Sequence, residues 1–153
     1  MYVLKHINYI SLYDYIVFTN DSIIINSSIF HFYNKMITSD VELYGYNDST
    51  EVRYHYQSYL FGIKSDAIYK FINLFNNNSH LITRTNNDSR ILIQHTELVL
   101  IDVFSSTDCF LKIGYIPSQL GKNIFFKNIM LYDILFENNL LPFYKLKQLT
   151  ELV

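Results

Sequence analysis

Arg53-x-His55-x-Gln57-x-Tyr59 sets a cation, an imidazole, an amide and a phenol at alternate positions of one stretch. On an extended strand such alternates point to one face. There the histidine would act as general acid or base and the arginine would stabilise phosphorane charge, as in metal-independent ribonucleases. With Tyr59 and Phe61 stacking on bases, the same face would serve as a single-stranded RNA platform. A plainer account also fits these residues. A half-buried strand must put its polar alternates somewhere, and an exposed or partner-covered sheet face is the ordinary place.

His95-x-Glu97 is the second pairing with chemical content. Two residues apart on a strand, the imidazole and carboxylate would share a face and so a metal or a proton-transfer task. A zinc site needs three or four ligands, however, and the companions His31, His55 or His80 would have to arrive by folding. Nothing else has ligand spacing, and no metal is expected. Phosphoesterases with paired H-x-T/S motifs are excluded, because Glu97 stands where the threonine should be and no second copy follows. The plainer account of this pair is two polar groups on a solvated sheet face.

Cys109 stands alone, beside Phe110, with no Cys/His/Asp spacing to make it a nucleophile. It reads as a buried, inert thiol. With glycine only at 45, 62, 114 and 121, no loop is rich enough to cradle a phosphate. The motifs G-x-S-x-G and G-x-G-x-x-G are missing too. These observations point away from an enzyme and from any cofactor.

The surroundings of these residues are low in charge and rich in aromatics. Half of the 153 residues are hydrophobic, 17% are charged, and 14 tyrosines and 12 phenylalanines supply ample core material. A net charge of −2, with three arginines and nine scattered lysines, lacks the basic face that phosphate neutralisation demands. Nucleic acid is therefore a disfavoured partner. A single cysteine rules out an internal disulfide and suits a reducing compartment. Met1–Ser11 does not read as a signal peptide, and no apolar run reaches the ~18–20 residues that span a bilayer. The five N-x-S sequons are explained by abundant Asn and Ser in turns. The expectation is a cytoplasmic chain with no membrane contact. Abundant Ile, Asn, Tyr and Phe beside a single alanine (Ala67) indicate an AT-rich genome, viral or a bacterial island.

The elements that must hold these residues follow from turn chemistry. Asn20-Asp21-Ser22, Asn47-Asp48-Ser49 and Asn87-Asp88-Ser89 each separate runs of β-branched and aromatic residues, and Ser105–Asp108 resembles them. The strands expected between them are Tyr2–Ile10, then a short hairpin of Asp14–Thr19 and Ile23–Asn26. Val41–Tyr46 is expected to pair with a long strand, Glu51–Gly62. His80–Thr85, Arg90–Phe104 and Cys109–Ile116 would form a meander. Ile68, Phe71, Ile72 and Phe75 predict a helix near 65–76 capped at Ser65-Asp66 and ended by Asn76-Asn77-Asn78. Pro142-Phe143 opens an amphipathic C-terminal helix with Leu146, Leu149 and Val153 aligned, and Lys127–Asn139 favours another. Ile29–Ile37 fits either class. With no linker or charge block, residues 1–153 read as one α+β domain, a mainly antiparallel sheet of hairpins and a meander with two to four helices.

Ten tyrosines between Tyr9 and Tyr69 exceed what one core can absorb. Tyrosine brings rigid contact area and one polar handle, which enriches it at interface hot spots. The function expected is therefore a small non-enzymatic protein that binds and masks another protein. An immunity protein neutralising a cognate toxin, or a viral antagonist of a host factor, is the type. The candidate partner-binding face comprises Arg53, His55, Gln57, Tyr59, His95 and Glu97. The alternatives are RNA binding or cleavage on the Arg53–Tyr59 face, and a homo-oligomeric structural subunit.

Overall fold

In the computed structural model the described residues are 9–20, 23–25, 27–50, 52–78, 93–112 and 143–145. Strands β1 (Tyr15–Thr19) and β2 (Ile23–Ile25) lead to helix α1 (Ile29–Ser39) and the long strand β3 (Leu43–Ser49). Then come β4 (His55–Tyr56), β5 (Leu60–Lys64), a 3₁₀ turn over Ser65–Ala67 and helix α2 (Ile68–Asn77). A π-turn at Ile93–Glu97, a 3₁₀ turn at Leu100–Val103, β6 (Thr107–Leu111) and β7 (Phe143–Lys145) complete the described elements.

Five of these strands form the main sheet, in the order β1-β5-β3-β4 with β6 on β3. Every pairing is antiparallel except β3 with β6, where Leu43 lies opposite Thr107 and Asn47 opposite Leu111 in parallel. The fold is thus α+β with a mostly antiparallel sheet, as the turn-rich, β-branched sequence implies.

Both faces of this sheet are covered, which explains why β3 is buried along nearly its whole length. On one face α1 presents Ile29, Phe32 and Met36 to Tyr44, Tyr46, Tyr59 and Leu60. Gly62 makes room there, because a Cβ at that position would run into Met36 Sδ. On the other face α2 sets Ile68, Phe71 and Leu74 against Leu43, Phe61 and Ile63, with Leu100, Phe104 and Cys109 closing the layer. The spacing of Ile29, Phe32 and Met36 resolves the ambiguous segment as a helix. It ends at Asp40, whose φ of 52° is one that an aspartate tolerates better than most residues.

The helix expected near 65–76 is present, but its entry differs. Ser65 and Asp66 lie in the 3₁₀ turn and supply no side-chain cap; Ser65 N–H instead donates to Asp14 O at 3.0 Å. At the far end Asn78 Nδ2 donates to Leu74 O at 2.8 Å, closing the helix as the Asn run implied.

Several expected pairings are corrected. β1 and β2 do not form a hairpin: β1 pairs with β5, and β2 with β7. Asn47-Asp48-Ser49 is not a turn but the last part of β3, with Asp48 opposite Tyr56 and Ser49 opposite His55. Asn47 and Asp48 are buried there, and the Asn47 side chain bonds within the layer, to Asp48 O and the Tyr59 hydroxyl, and does not punctuate it. Where a strand over Arg90–Phe104 is expected, the described residues coil into two tight turns at 93–97 and 100–103, so no meander joins them to β6. Phe143, expected to open a helix, begins a strand because β2 offers it a backbone edge. Ile10 opens a 3₁₀ turn and does not continue a strand. The expectations for residues 2–8, 79–92, 113–142 and 146–153 lie outside the described residues.

Candidate functional site

The segment from Val52 to Lys64 is not the single strand its alternation predicts. Its antiparallel partnership with β3 holds, but in two registers. From Asp48↔Tyr56 to Gly45↔Phe61, three steps along β3 are matched by five along the partner. Two extra residues are accommodated as a bulge around Gln57-Ser58-Tyr59, and β-bulges re-aim side chains. Tyr56 and Phe61, which strict alternation puts on opposite faces, consequently share the α2-side cluster. Gly45 permits this: a Cβ there would sit 2.7 Å from Tyr56 Cγ.

The bulge and the covered sheet scatter the expected row of functional groups. His55, Gln57 and Tyr59 are buried, whereas Arg53 is exposed. His55 Nδ1 lies 2.8 Å from Arg53 O, and a carbonyl only accepts, so Nδ1 carries the proton. Nε2 is then the acceptor facing Gln57 Nε2 at 3.4 Å. Both imidazole nitrogens are thereby turned to groups of the same segment. Gln57 N–H donates to Asn47 O at 3.1 Å, and the Tyr59 hydroxyl donates to Asn47 Oδ1. Burial, more than the neighbouring Tyr46 and Glu97, pushes the pKa of that phenol well up, so it stays a neutral donor.

His95 and Glu97 sit in the π-turn and not on a strand. Both are half-buried, with buried Thr96 between them. Glu97 Oε1 accepts a hydrogen bond from Ser58 N–H at 3.1 Å, clasping the tip of the bulge. A second brace lies nearby, where Arg53 Nη2 stands 2.9 Å from both carboxylate oxygens of Asp102. The structure therefore joins the two sequence candidates, Arg53–Tyr59 and His95–Glu97, through Ser58 and Glu97. No group of three His, Cys, Asp or Glu side chains able to hold a metal occurs among the described residues.

Two surfaces result. Outside the braces, Val52 (73% exposed) and Tyr54 (43% exposed) flank Arg53 in a short apolar ridge. Tyr54 stands edge-on to Tyr56, ring centroids 6.0 Å apart. Beside the bulge, a cavity of about 340 Å³ opens between β1, β5, α2 and the π-turn. Phe18, Phe61, Phe71, Phe75 and Leu100 form its walls, and Thr19, Asn20, Ser58, Thr96 and Glu97 supply its polar lining.

With this geometry in view, comparison with known proteins adds one finding. The chain is similar to the virulence protein VirA of Vibrio anguillarum, including strain ATCC 68554 / 775, at 35% identity over 94 residues. The match covers 60% of this chain but only 29% of VirA, so the chain spans less than a third of that relative's length. No protein-family model matches, and no solved structure does.

The cavity is the feature that motif reasoning missed. Its signal was present in part, since Phe71 and Phe75 fall four apart on an amphipathic helix. What brings Phe18 and Phe61 beside them is the β1–β5 pairing, in which those two residues are directly opposite.

Proposed function

We propose that this chain is a non-enzymatic binding protein that engages and masks another protein through the Val52–Tyr54 ridge. The observation that carries the reading is the exposure of Val52 and Tyr54 beside an Arg53 fixed by Asp102. Tyrosine and arginine on a braced backbone make efficient interface anchors, because little conformational freedom remains to be lost on binding. Tyr54 is held further by its edge contact with Tyr56. The groups that would have done chemistry are engaged inside the fold: His55 by Arg53 O and Gln57, Tyr59 by Asn47. Cys109 is buried.

The likeness to a bacterial virulence protein accords with the island-like composition, and with a cognate toxin or a host factor as the masked partner. RNA binding finds less support. Of its four residues three are buried, and the guanidinium already faces a carboxylate. No helix among the described residues is long and apolar enough to cross a membrane.

The test is affinity purification from the native background, with Val52→Asp and Tyr54→Ala run in parallel. A stoichiometric protein partner that both variants lose, at unchanged Tm, supports the reading. Intrinsic turnover, or a partner indifferent to both substitutions, refutes it. Light scattering separates the self-associating alternative, which a concentration-independent monomer ends.

A further inference from the structure

The cavity beside the bulge has a chemistry of its own. Its apolar wall is mostly aromatic: Phe18 stacks on Phe61 with centroids 5.0 Å apart and planes inclined by 13°. Phe71 lies 4.7 Å from Phe18 and 4.9 Å from Phe75. The volume of about 340 Å³ is at the small end of the range of ~300–1,000 Å³ that ligand sites occupy. It suits a single ring with a short chain and not a nucleotide.

Its polar lining is selective in sign. Among the described residues that line it, Glu97 is the sole charged one. That carboxylate is also placed in advance, because Oε1 receives the Ser58 N–H at 3.1 Å. Aromatic faces attract cations through their quadrupole, and a carboxylate at the end of such a box adds a charge-assisted hydrogen bond. An anion would meet the Glu97 carboxylate with no cationic side chain among the described lining residues to offset it.

We infer that this cavity is a binding site for a small organic cation, a protonated amine carried on a single-ring or similarly compact apolar body. The ammonium sits at Glu97 and the apolar body lies among Phe18, Phe61, Phe71 and Phe75. This site is separate from the Val52–Tyr54 ridge and stands or falls without the masking reading.

The experiment titrates the intact protein with 2-phenylethylamine at neutral pH, following ¹H–¹⁵N chemical shifts, against 3-phenylpropionate as the oppositely charged counterpart. The expected result is saturable binding of the amine, with shifts centred on residues 18–20, 58 and 96–97, and none of the acid. Glu97→Gln keeps an acceptor for Ser58 N–H and is expected to weaken the amine about tenfold. Thr19→Trp, which fills the mouth from an exposed strand position, abolishes binding. Equal binding of amine and acid, or no binding of either into the millimolar range, overturns the proposal. That comparison needs only the unmodified protein and so survives any folding defect in the variants.

Discussion

The Tyr59 hydroxyl donates to the side-chain carbonyl of Asn47 in the middle of the sheet, where both residues are almost wholly buried. Together with the bond from Gln57 N–H to Asn47 O, this bond ties the bulge to the central strand at the point where the register changes. Asn47 is held at its other end by Nδ2, which donates to Asp48 O at 3.0 Å. Tyr59→Phe removes the donor and leaves Asn47 Oδ1 without it in a buried layer. The expected loss is about 1–3 kcal/mol of unfolding free energy, read as a lower urea midpoint at constant m-value.

Gly45 is predicted to be intolerant of any side chain. A Cβ there would stand 2.7 Å from Tyr56 Cγ and 2.8 Å from Cδ2, and the ring is fixed by its hydroxyl's bond to Thr107 Oγ1 at 3.1 Å. Gly45→Ala should cost about 1–3 kcal/mol through forced repacking. In a Tyr56→Ala background the same change should cost much less, and a double-mutant cycle measures the difference. Additive effects would show that the two residues do not share a face.

Glu42 makes stability depend on acid pH. Its carboxylate is held below its ordinary value of 4.5, first by hydrogen bonding to Lys70 and then by the Ser105 N–H. Lys70 Nζ lies 2.8 and 2.7 Å from its two oxygens. Because the folded pKa is the lower one, this contribution is complete above about 4.5 and disappears as pH falls through the folded value. Glu42→Gln should therefore flatten the stability–pH curve in that acid window, while leaving its slope near neutrality unchanged.

Cys109 should be silent to thiol reagents in the native state. Burial pushes its thiol up to about 12, with nearby Asp48 and Asp108 adding to the effect, so almost no thiolate exists at pH 8. Labelling by iodoacetamide should wait on opening of the fold and accelerate in denaturant. Rapid labelling of folded protein would mean that the strand is accessible.

What the sequence determined was set by local chemistry. The α+β class, a helix near 65–76 (found at 68–77), a strand at 14–19 (found at 15–19), an antiparallel partnership of 41–46 with 51–62 (found for 43–45 with 61–63) and the buried thiol all follow from spacing and side-chain type. Phe71 and Leu74 repeat at helical intervals whatever surrounds them, and the Asn run stops that helix by its own backbone preference.

Tertiary structure decided what local pattern leaves open. Asn47-Asp48-Ser49 has the composition of a turn, yet it is strand because β4 pairs with its last two residues and β6 with Asn47. The Arg53–Tyr59 alternation looks like a half-exposed strand. With helices on both faces of the sheet and a bulge at Gln57–Tyr59, His55, Gln57 and Tyr59 turn inward, His55 facing Gln57 and Tyr59 bonding to Asn47, while Arg53 stays exposed. The cavity exists only because Phe18 and Phe61 meet across two strands more than 40 positions apart, while Glu97 arrives from a turn tied to Ser58. Alternation encodes which side a residue faces; whether that side meets water depends on what the rest of the chain lays over it.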